Sequence, residues 1–205
     1  MTESVGWLAL GLAFAVLLVR RRSVALLLTA GQSLLIAAAA LSTISGRTRE
    51  YLAAAVILVV RGVVLPTVLG LSLRRTREAR RIAPGMTAPM RFLVGVAATV
   101  AITALVPSLG LSTPAAEHAS VGLVVLGITT VMLRRPTLFQ ILGLLMAENG
   151  LAVAAVSVSG GVPVVIELGV LVDLLLLVMV ATAFHERIFG HFGSGNTALL
   201  RELRD

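Results

Sequence analysis

The chain has 205 residues, of which 58% are hydrophobic and only 13% are charged. This composition excludes a soluble domain with a wet surface and predicts an integral membrane protein of one domain. The net charge of +7 is carried by arginines that lie between apolar runs without interleaved aromatic residues, so it indicates membrane topology and not nucleic-acid binding.

Seven apolar runs follow one another along the chain, at residues 5–19, 24–44, 52–73, 92–109, 119–133, 138–158 and 162–184. Most approach the roughly 20 residues that a helix needs to cross a bilayer, whereas the first and fifth are shorter. Unpaired backbone groups cannot face lipid, so each run is expected to be a helix. The predicted fold class is therefore an all-α polytopic membrane protein with about seven transmembrane helices.

Arginines in the connections predict the orientation of these helices. The segments RRR at 20–22, RRTREARR at 74–81 and RR at 134–135 follow the first, third and fifth runs, and the opposite connections contain only Arg47 and Arg49. The positive-inside rule then places the N-terminus outside and the C-terminus in the cytoplasm. The first residues, MTES, carry no positive charge, so we expect the first run to be a span and not a cleaved signal peptide.

The sequence contains a weak internal repeat. VRRRSVALLLTAGQSLLIAAAA is similar to LRRPTLFQILGLLMAENGLAVAA, and the two arginine pairs are 113 residues apart. The second unit lies four spans after the first, so the two would point in the same direction across the membrane, as parallel repeats do in some transporters. Chance similarity between segments rich in Leu and Ala is the alternative interpretation.

Four ionisable residues fall inside the predicted spans, namely Arg61, Glu148, Glu167 and Asp173. A charge at the bilayer centre costs about 2.5–3.5 kcal/mol on insertion scales, so such residues usually face the bundle interior and mark proton or ion routes. The alternative is a pair of buried charges that holds two helices together. One such pair needs only two charged residues, whereas four are present, which favours a role in ion movement.

Helical rise gives the depth of these residues. Glu148 lies 13 residues after Arg135, which at about 1.5 Å per residue is near the middle of the bilayer. By the same count, Asp173 and Arg61 lie at a similar depth, and Glu167 lies about 9 Å outward of Asp173. The set predicts a stepwise proton path, in which Arg61 pairs with Asp173 or Glu148.

Other polar residues could act as secondary stations on that path. Gln32, Gln140 and Asn149 could supply hydrogen bonds or hold ordered water, although each residue type also serves in helix packing. Glu117 and His118 begin the fifth run at its outer side and could form an exit group. An ordinary solvated helix end is the alternative for that pair.

The sequence lacks several residue types and motifs that catalytic, metal and cofactor sites require. Without cysteine it has no disulfides, thiolate metal sites or cysteine-ligated iron–sulfur clusters, and without lysine it cannot form a retinal Schiff base. A Gly-rich phosphate loop, a nucleophile elbow and the HExxH and CxxCH motifs are also missing. We therefore expect no catalytic residue, no metal site and no cofactor.

The last three runs resemble a known family. VLGITTVMLRRPTLFQILGLLMAENGLAVAAV followed by IELGVLVDLLLLVMVATAFHERI is similar to the three-helix K subunit of respiratory complex I. With the N-terminal spans included, the chain resembles the E-type membrane subunit of hydrogenase-4 and formate-hydrogenlyase-type complexes. The resemblance implies an N-terminal four-helix membrane region at 1–110, a K-subunit-like module at 117–188 and a cytoplasmic tail at 189–205.

The resemblance carries over to the buried carboxylates only in part. Aligned through RRPTLFQILGLL, the first buried glutamate of the family falls at Leu145, whereas the carboxylate here is Glu148, about 4.5 Å further along nearly the same helix face. The second family glutamate falls on Glu167. Asp173 has no counterpart in that pattern, and Arg61 lies outside the shared module.

The family resemblance implies a non-catalytic subunit of a complex-I-like hydrogenase in the cell membrane of a bacterium or archaeon. Its partners would be antiporter-like and quinone-channel-like membrane subunits, with a peripheral nickel–iron (NiFe) hydrogenase and iron–sulfur subunits. The chain would help to couple redox energy to the movement of protons or sodium ions. A standalone ion-coupled secondary transporter and a purely structural membrane anchor are the alternatives.

Overall fold

The computed structural model describes residues 3–43, 60–64, 67–71 and 86–158, together with positions 175, 178, 179, 182 and 187. All regular elements in these residues are helical. Five are helices of at least four turns: α1 Glu3–Leu18, α2 Arg22–Thr43, α3 Ala88–Leu105, α4 Pro114–Leu133 and α5 Thr137–Ser157. A π-helical turn at Val60–Val64 and a helical segment at 67–71 lie between α2 and α3.

This architecture confirms the all-α fold class and shows a membrane protein. Among the described residues, the four helices α2 to α5 are long and apolar enough to cross a bilayer, and α1, with 16 residues, is an apolar helix shorter than a usual span. The predicted runs 52–73 and 162–184 lie largely outside the described residues. The count of seven spans and the orientation of the two termini therefore stay predictions.

The helix bounds differ from the apolar runs for local reasons. α4 begins five residues before the predicted run 119–133, because Thr113 caps it by accepting the Ala116 N–H at 3.2 Å and Pro114 occupies its first turn. Its 20 residues make it a full span. α3 ends before Val106, whose backbone is extended, as is usual for the residue that precedes a proline.

Two helical hairpins form the main body of the described structure. α1 and α2 make one hairpin, α4 and α5 make the other, and α3 packs against α1 and α4. Trp7 stacks on His118 at one end of α1 and α4, with ring centroids 6.3 Å apart, and Arg134 reaches the Val19 carbonyl at the other end. The hairpins therefore lie side by side and point in the same direction, which is the relation that the predicted repeat requires.

α4 and α5 approach each other closely through small residues. A Cβ added to Gly150 would lie 2.6 Å from the backbone oxygen of Ser120, and one added to Gly143 would lie 2.6 Å from that of Gly127. The two contacts are seven residues apart on each helix, so they recur on one face every two turns. This packing brings the backbones together and rigidly sets the position of α5.

The apolar core lies between the two hairpins. Its largest fully buried apolar side chains on α1, α4 and α5 are Leu17, Leu123, Leu126, Phe139, Leu142 and Met146. α3 buries only Arg91, Gly95 and Thr99 among its residues, and exposes apolar side chains elsewhere. Because lipid tails are as apolar as leucine, such an exposed surface suits a helix in contact with the bilayer.

Candidate functional site

A buried polar cluster lies at the middle of the two hairpins. It consists of Gln32 and Ser33 on α2 and Asn149 on α5, and we call it the amide cluster. The Asn149 Nδ2 group donates to Gln32 Oε1 at 2.9 Å and to Ser33 Oγ at 3.0 Å, and Ser33 Oγ lies 3.2 Å from Asn149 Oδ1. These bonds join α2 to α5 in the apolar interior.

The amide cluster also contacts α1. Gln32 Nε2 donates to the backbone oxygen of Ala9 on α1 at 2.8 Å. Gln32 is fully buried and Asn149 is 1% exposed, so neither amide can exchange these partners for bulk water. Buried amides are costly unless they are hydrogen-bonded, and the cluster supplies those bonds within the bundle.

Glu148 directly precedes the amide cluster on α5. It is the twelfth of the 21 residues of that helix, near its middle, and its side chain is half-buried with the Oε2 atom enclosed by protein. Neighbouring residues on a helix point about 100° apart, so Glu148 projects to one side of the amide cluster. The structure therefore places a carboxylate and a hydrogen-bonded amide network at the same level of α5.

The remaining residues of the predicted proton path lie outside what can be described. Glu167 and Asp173 fall outside the described residues. The backbone of Arg61 belongs to the π-helical turn Val60–Val64, and its side chain lies outside the described part. π-Helical turns occur often at functional sites. The predicted pairing of Arg61 with Asp173 or Glu148 stays a prediction.

The predicted secondary stations separate into two groups. Gln32 and Asn149 meet in the amide cluster. Gln140 lies nine residues before Asn149 on α5, about 13 Å away along the helix axis, and does not belong to the cluster. Ser33 also belongs to the cluster and was not among the predicted stations. Its position next to Gln32, on a helix rich in Leu and Ala, is the signal that was available.

Glu117 and His118 lie at the start of α4 and hold local structure together. The Glu117 carboxylate accepts hydrogen bonds from Ser108 Oγ at 2.9 Å and from the Leu111 N–H at 3.1 Å. His118 Nδ1 lies 2.6 Å from the Pro114 oxygen. Glu117 thus anchors the loop between α3 and α4, as expected for a solvated helix end.

Two buried arginines at the opposite end of the bundle were not expected from the sequence. Arg91 donates to the Leu17 oxygen at 3.0 Å and to the Leu18 oxygen at 3.5 Å, and Arg134 donates to the Val19 oxygen at 2.7 Å. These carbonyl groups end α1 and lack partners within that helix. Two cations therefore complement the negative end of its dipole.

Arg134 is further held by an aromatic ring. Its guanidinium carbon lies 3.6 Å from the centroid of Phe139, a geometry typical of a cation–π contact. Arg134 thereby links the end of α4, the first turn of α5 and the end of α1. In the sequence, Arg134 is only a topology signal and cannot be distinguished from its exposed neighbour Arg135.

No group of three or more His, Cys, Asp or Glu side chains that could hold a metal ion occurs in the part of the chain that the structure describes.

The fold and the buried polar set define an all-α membrane protein with a polar centre. The chain is 31% identical over 154 residues to the uncharacterized protein Rv0085 of Mycobacterium tuberculosis (strain ATCC 25618 / H37Rv), with 73% of this chain and 70% of the relative covered. It belongs to the same family as that protein. No family model and no solved structure matches the chain.

Proposed function

We propose that the chain is a non-catalytic membrane subunit of a complex-I-like hydrogenase, of the hydrogenase-4 or formate-hydrogenlyase type. The observation that carries the proposal is Glu148, a half-buried carboxylate at the middle of α5 that directly adjoins the buried amide Asn149. Ionisable groups at this depth usually mark ion or proton routes. The sequence resemblance of α4 and α5 to the complex I K subunit supplies the class of assembly.

In this proposal Glu148 accepts and releases protons, and the amide cluster holds the part of α5 that carries Glu148 in position. Asn149 is held by Gln32 and Ser33, which keeps the neighbouring turn of α5 in one position. A carboxyl group with fixed surroundings can pass a proton to the next group on the path, for which Glu167, Asp173 and Arg61 are the proposed partners. Sodium ions are the alternative cargo for the same carboxylates.

The proposed topology rests on the apolar runs and on the arginines between them, and the proposed assembly rests on the same family resemblance. The chain would cross the cell membrane of a bacterium or archaeon seven times, with its N-terminus outside and its C-terminus in the cytoplasm. Antiporter-like and quinone-channel-like subunits would lie beside it in the bilayer. A peripheral nickel–iron hydrogenase with iron–sulfur subunits would carry out the redox chemistry, so the chain itself would have no enzymatic activity.

The decisive experiment measures translocation and electron transfer separately in the whole complex. We expect Glu148→Gln to reduce the ions moved per electron severalfold, while hydrogenase activity of the complex in detergent is retained. Glu3→Gln is the matched control, because Glu3 is an exposed carboxylate at the start of α1 and should leave both readouts unchanged.

Two outcomes would replace this proposal. Unchanged translocation in Glu148→Gln would favour a structural membrane anchor, for which the hydrogen-bonded amide cluster between α1, α2 and α5 is the supporting observation. Ion flux by the purified chain alone in liposomes would favour a standalone secondary transporter, for which the parallel arrangement of the two hairpins is the supporting observation.

A further inference from the structure

One end of the bundle carries a dense positive charge. Six arginines lie there, at the end of α1, the start of α2, the start of α3 and the end of α4: Arg20, Arg21, Arg22, Arg91, Arg134 and Arg135. Three carboxylates are present in the described residues, and none lies at this end. Glu3 and Glu117 are at the opposite end, and Glu148 is at the middle of α5.

Two of these arginines lie side by side on one helix end. Arg91 and Arg134 bind the consecutive carbonyl groups of Leu17, Leu18 and Val19, and are only 3% and 6% exposed. The negative end of a helix dipole corresponds to about half an elementary charge, so it offsets only a fraction of two guanidinium charges. No carboxylate of the described residues offsets the remaining positive charge at this end of the bundle.

The hydrogen bonding of the same two side chains is incomplete. In the described structure, the Nε atoms of Arg91 and of Arg134 are buried and have no hydrogen-bond acceptor. Leaving a buried donor unpaired is unfavourable, and more so for a charged group. An added acceptor with negative charge and several oxygens, beyond the described residues, would satisfy both the charge and the hydrogen bonding.

Two exposed arginines extend this pair towards the surroundings. Arg20 and Arg21 form the turn between α1 and α2 and are exposed, and Arg20 lies close enough to Arg91 for their charges to repel. We call Arg20, Arg21, Arg91 and Arg134 the arginine cap. Fork-shaped guanidinium groups match the oxygens of a phosphate group, and four of them are grouped around one helix end.

Exposed apolar side chains lie next to the arginine cap, on the side towards the bilayer centre. They indicate that the molecule bound there also has an apolar part. Met90 and Leu93 on α3 and Met132 on α4 are all exposed, and each lies within about two turns of an arginine of this end. A cationic surface with an apolar surface immediately towards the bilayer centre suits an amphiphile with an anionic head. Exposed apolar side chains of a membrane helix contact lipid, so the anion that lies nearest to both surfaces is the headgroup of a membrane lipid.

We propose that the arginine cap binds the phosphate of an anionic phospholipid whose acyl chains lie along these exposed side chains of α3 and α4, two helices that pack against each other. Membrane proteins bind anionic headgroups in basic sites between helices, where each basic side chain adds attraction. The bound phosphate would stabilise the end of α1 and hence the contact between the two hairpins.

The test uses the purified full chain with defined lipids and the variant Arg20→Gln/Arg21→Gln. These side chains are exposed and do not cap α1, so the variant should unfold in phosphatidylcholine at the same temperature as the wild type. We expect phosphatidylglycerol, compared with phosphatidylcholine of the same acyl chains, to raise the unfolding temperature of the wild type. The double variant should bind phosphatidylglycerol roughly 10- to 30-fold more weakly, as measured by native mass spectrometry.

A matched control removes the same charge elsewhere. Arg47→Gln/Arg49→Gln changes two arginines that follow the other end of α2, and should leave phosphatidylglycerol binding unchanged. Equal affinity for the two lipids, or equal phosphatidylglycerol binding by the wild type and Arg20→Gln/Arg21→Gln, would overturn the proposal.

Two further experiments identify which molecule supplies the negative charge at the arginine cap. If inorganic phosphate alone produces the same rise in unfolding temperature as phosphatidylglycerol, the arginine cap is a free-phosphate site and the lipid assignment is wrong. If the variant binds phosphatidylglycerol as the wild type does but no longer assembles with other membrane subunits, the arginine cap is a protein-docking surface, and the lipid assignment is again wrong.

Discussion

Asn149 on α5 donates a hydrogen bond of 2.9 Å to Gln32 on α2, across the apolar interior between the two hairpins. Both side chains are fully buried or nearly so, and each lies in one of the two units of the predicted internal repeat. The bond therefore links residues 117 positions apart in the chain and fixes how α2 and α5 face each other.

We predict that this bond is measurable as a coupling energy. Asn149→Leu or Gln32→Leu should each lower the free energy of unfolding by about 1–2 kcal/mol, because the partner amide is left unpaired in the core. The double variant should lose less than the sum of the two, with a coupling of about 0.5–1.5 kcal/mol. Unfolding in mixed detergent and SDS micelles gives these values.

Gln140→Leu is the control for this cycle, since Gln140 lies on α5 but outside the amide cluster. Its effect should be within about 0.5 kcal/mol. Strictly additive effects of Gln32→Leu and Asn149→Leu would show that the amide cluster does not act as a unit.

The close packing of α4 against α5 makes a second prediction. Gly150→Ala should lower the free energy of unfolding by about 1–3 kcal/mol, because the new Cβ would lie 2.6 Å from the Ser120 backbone oxygen and the two helices would have to separate. Gly31→Ala is the control, since a Cβ at that helical glycine meets nothing within 4 Å. It should stabilise the chain by up to about 1 kcal/mol. Equal effects of the two substitutions would contradict this account of the packing.

A third prediction concerns the end of α1. Arg91→Gln should lower the free energy of unfolding in an uncharged detergent by about 1.5–3 kcal/mol, because charged hydrogen bonds to the Leu17 and Leu18 carbonyls are lost. Arg91→Lys should recover only part of this loss, since an ammonium group lacks the planar fork of donors. Arg21→Gln, at an exposed position, is the control and should change stability by less than about 0.5 kcal/mol. Full recovery by lysine would mean that charge alone, without the paired geometry, holds α1.

Glu117 supplies a fourth prediction. Glu117→Ala should lower the hydrogen-exchange protection of the Leu111 amide at least tenfold, because the carboxylate accepts that N–H and also the Ser108 hydroxyl. Glu3→Ala removes another carboxylate near a helix start and should leave Leu111 unaffected. Unchanged protection in Glu117→Ala would show that the loop between α3 and α4 is held by other contacts.

The fifth prediction tests the proposed orientation. The chain has no cysteine, so Ser23→Cys, Ser112→Cys and Ser194→Cys each introduce a single labelling site. With seven spans and a cytoplasmic C-terminus, an impermeant thiol reagent added outside intact cells should label Ser112→Cys only. Permeabilised cells, in which all three should react, are the control. Labelling of Ser194→Cys from outside would exclude the proposed topology.

The membrane class and the helical content could be read from the sequence because transfer of a helix into lipid depends on length and composition alone. Runs such as 24–44 and 138–158 agree closely with α2 and α5. The start of α4 was placed too late, because a polar first turn with Glu117 and His118 does not look apolar although Thr113 caps it. Helix ends depend on capping residues that hydropathy ignores.

By itself, the sequence determined that this is an all-helical membrane chain with a few polar groups set deep in apolar segments. Only the tertiary structure decided which of those groups meet: Asn149 with Gln32, and Arg91 and Arg134 with the end of α1. The physical reason is that lipid is as apolar as a protein core, so the buried and lipid-facing sides of a membrane helix carry the same residue types. Which side faces inward is set by the close approach of neighbouring helices, and hydropathy contains no record of it.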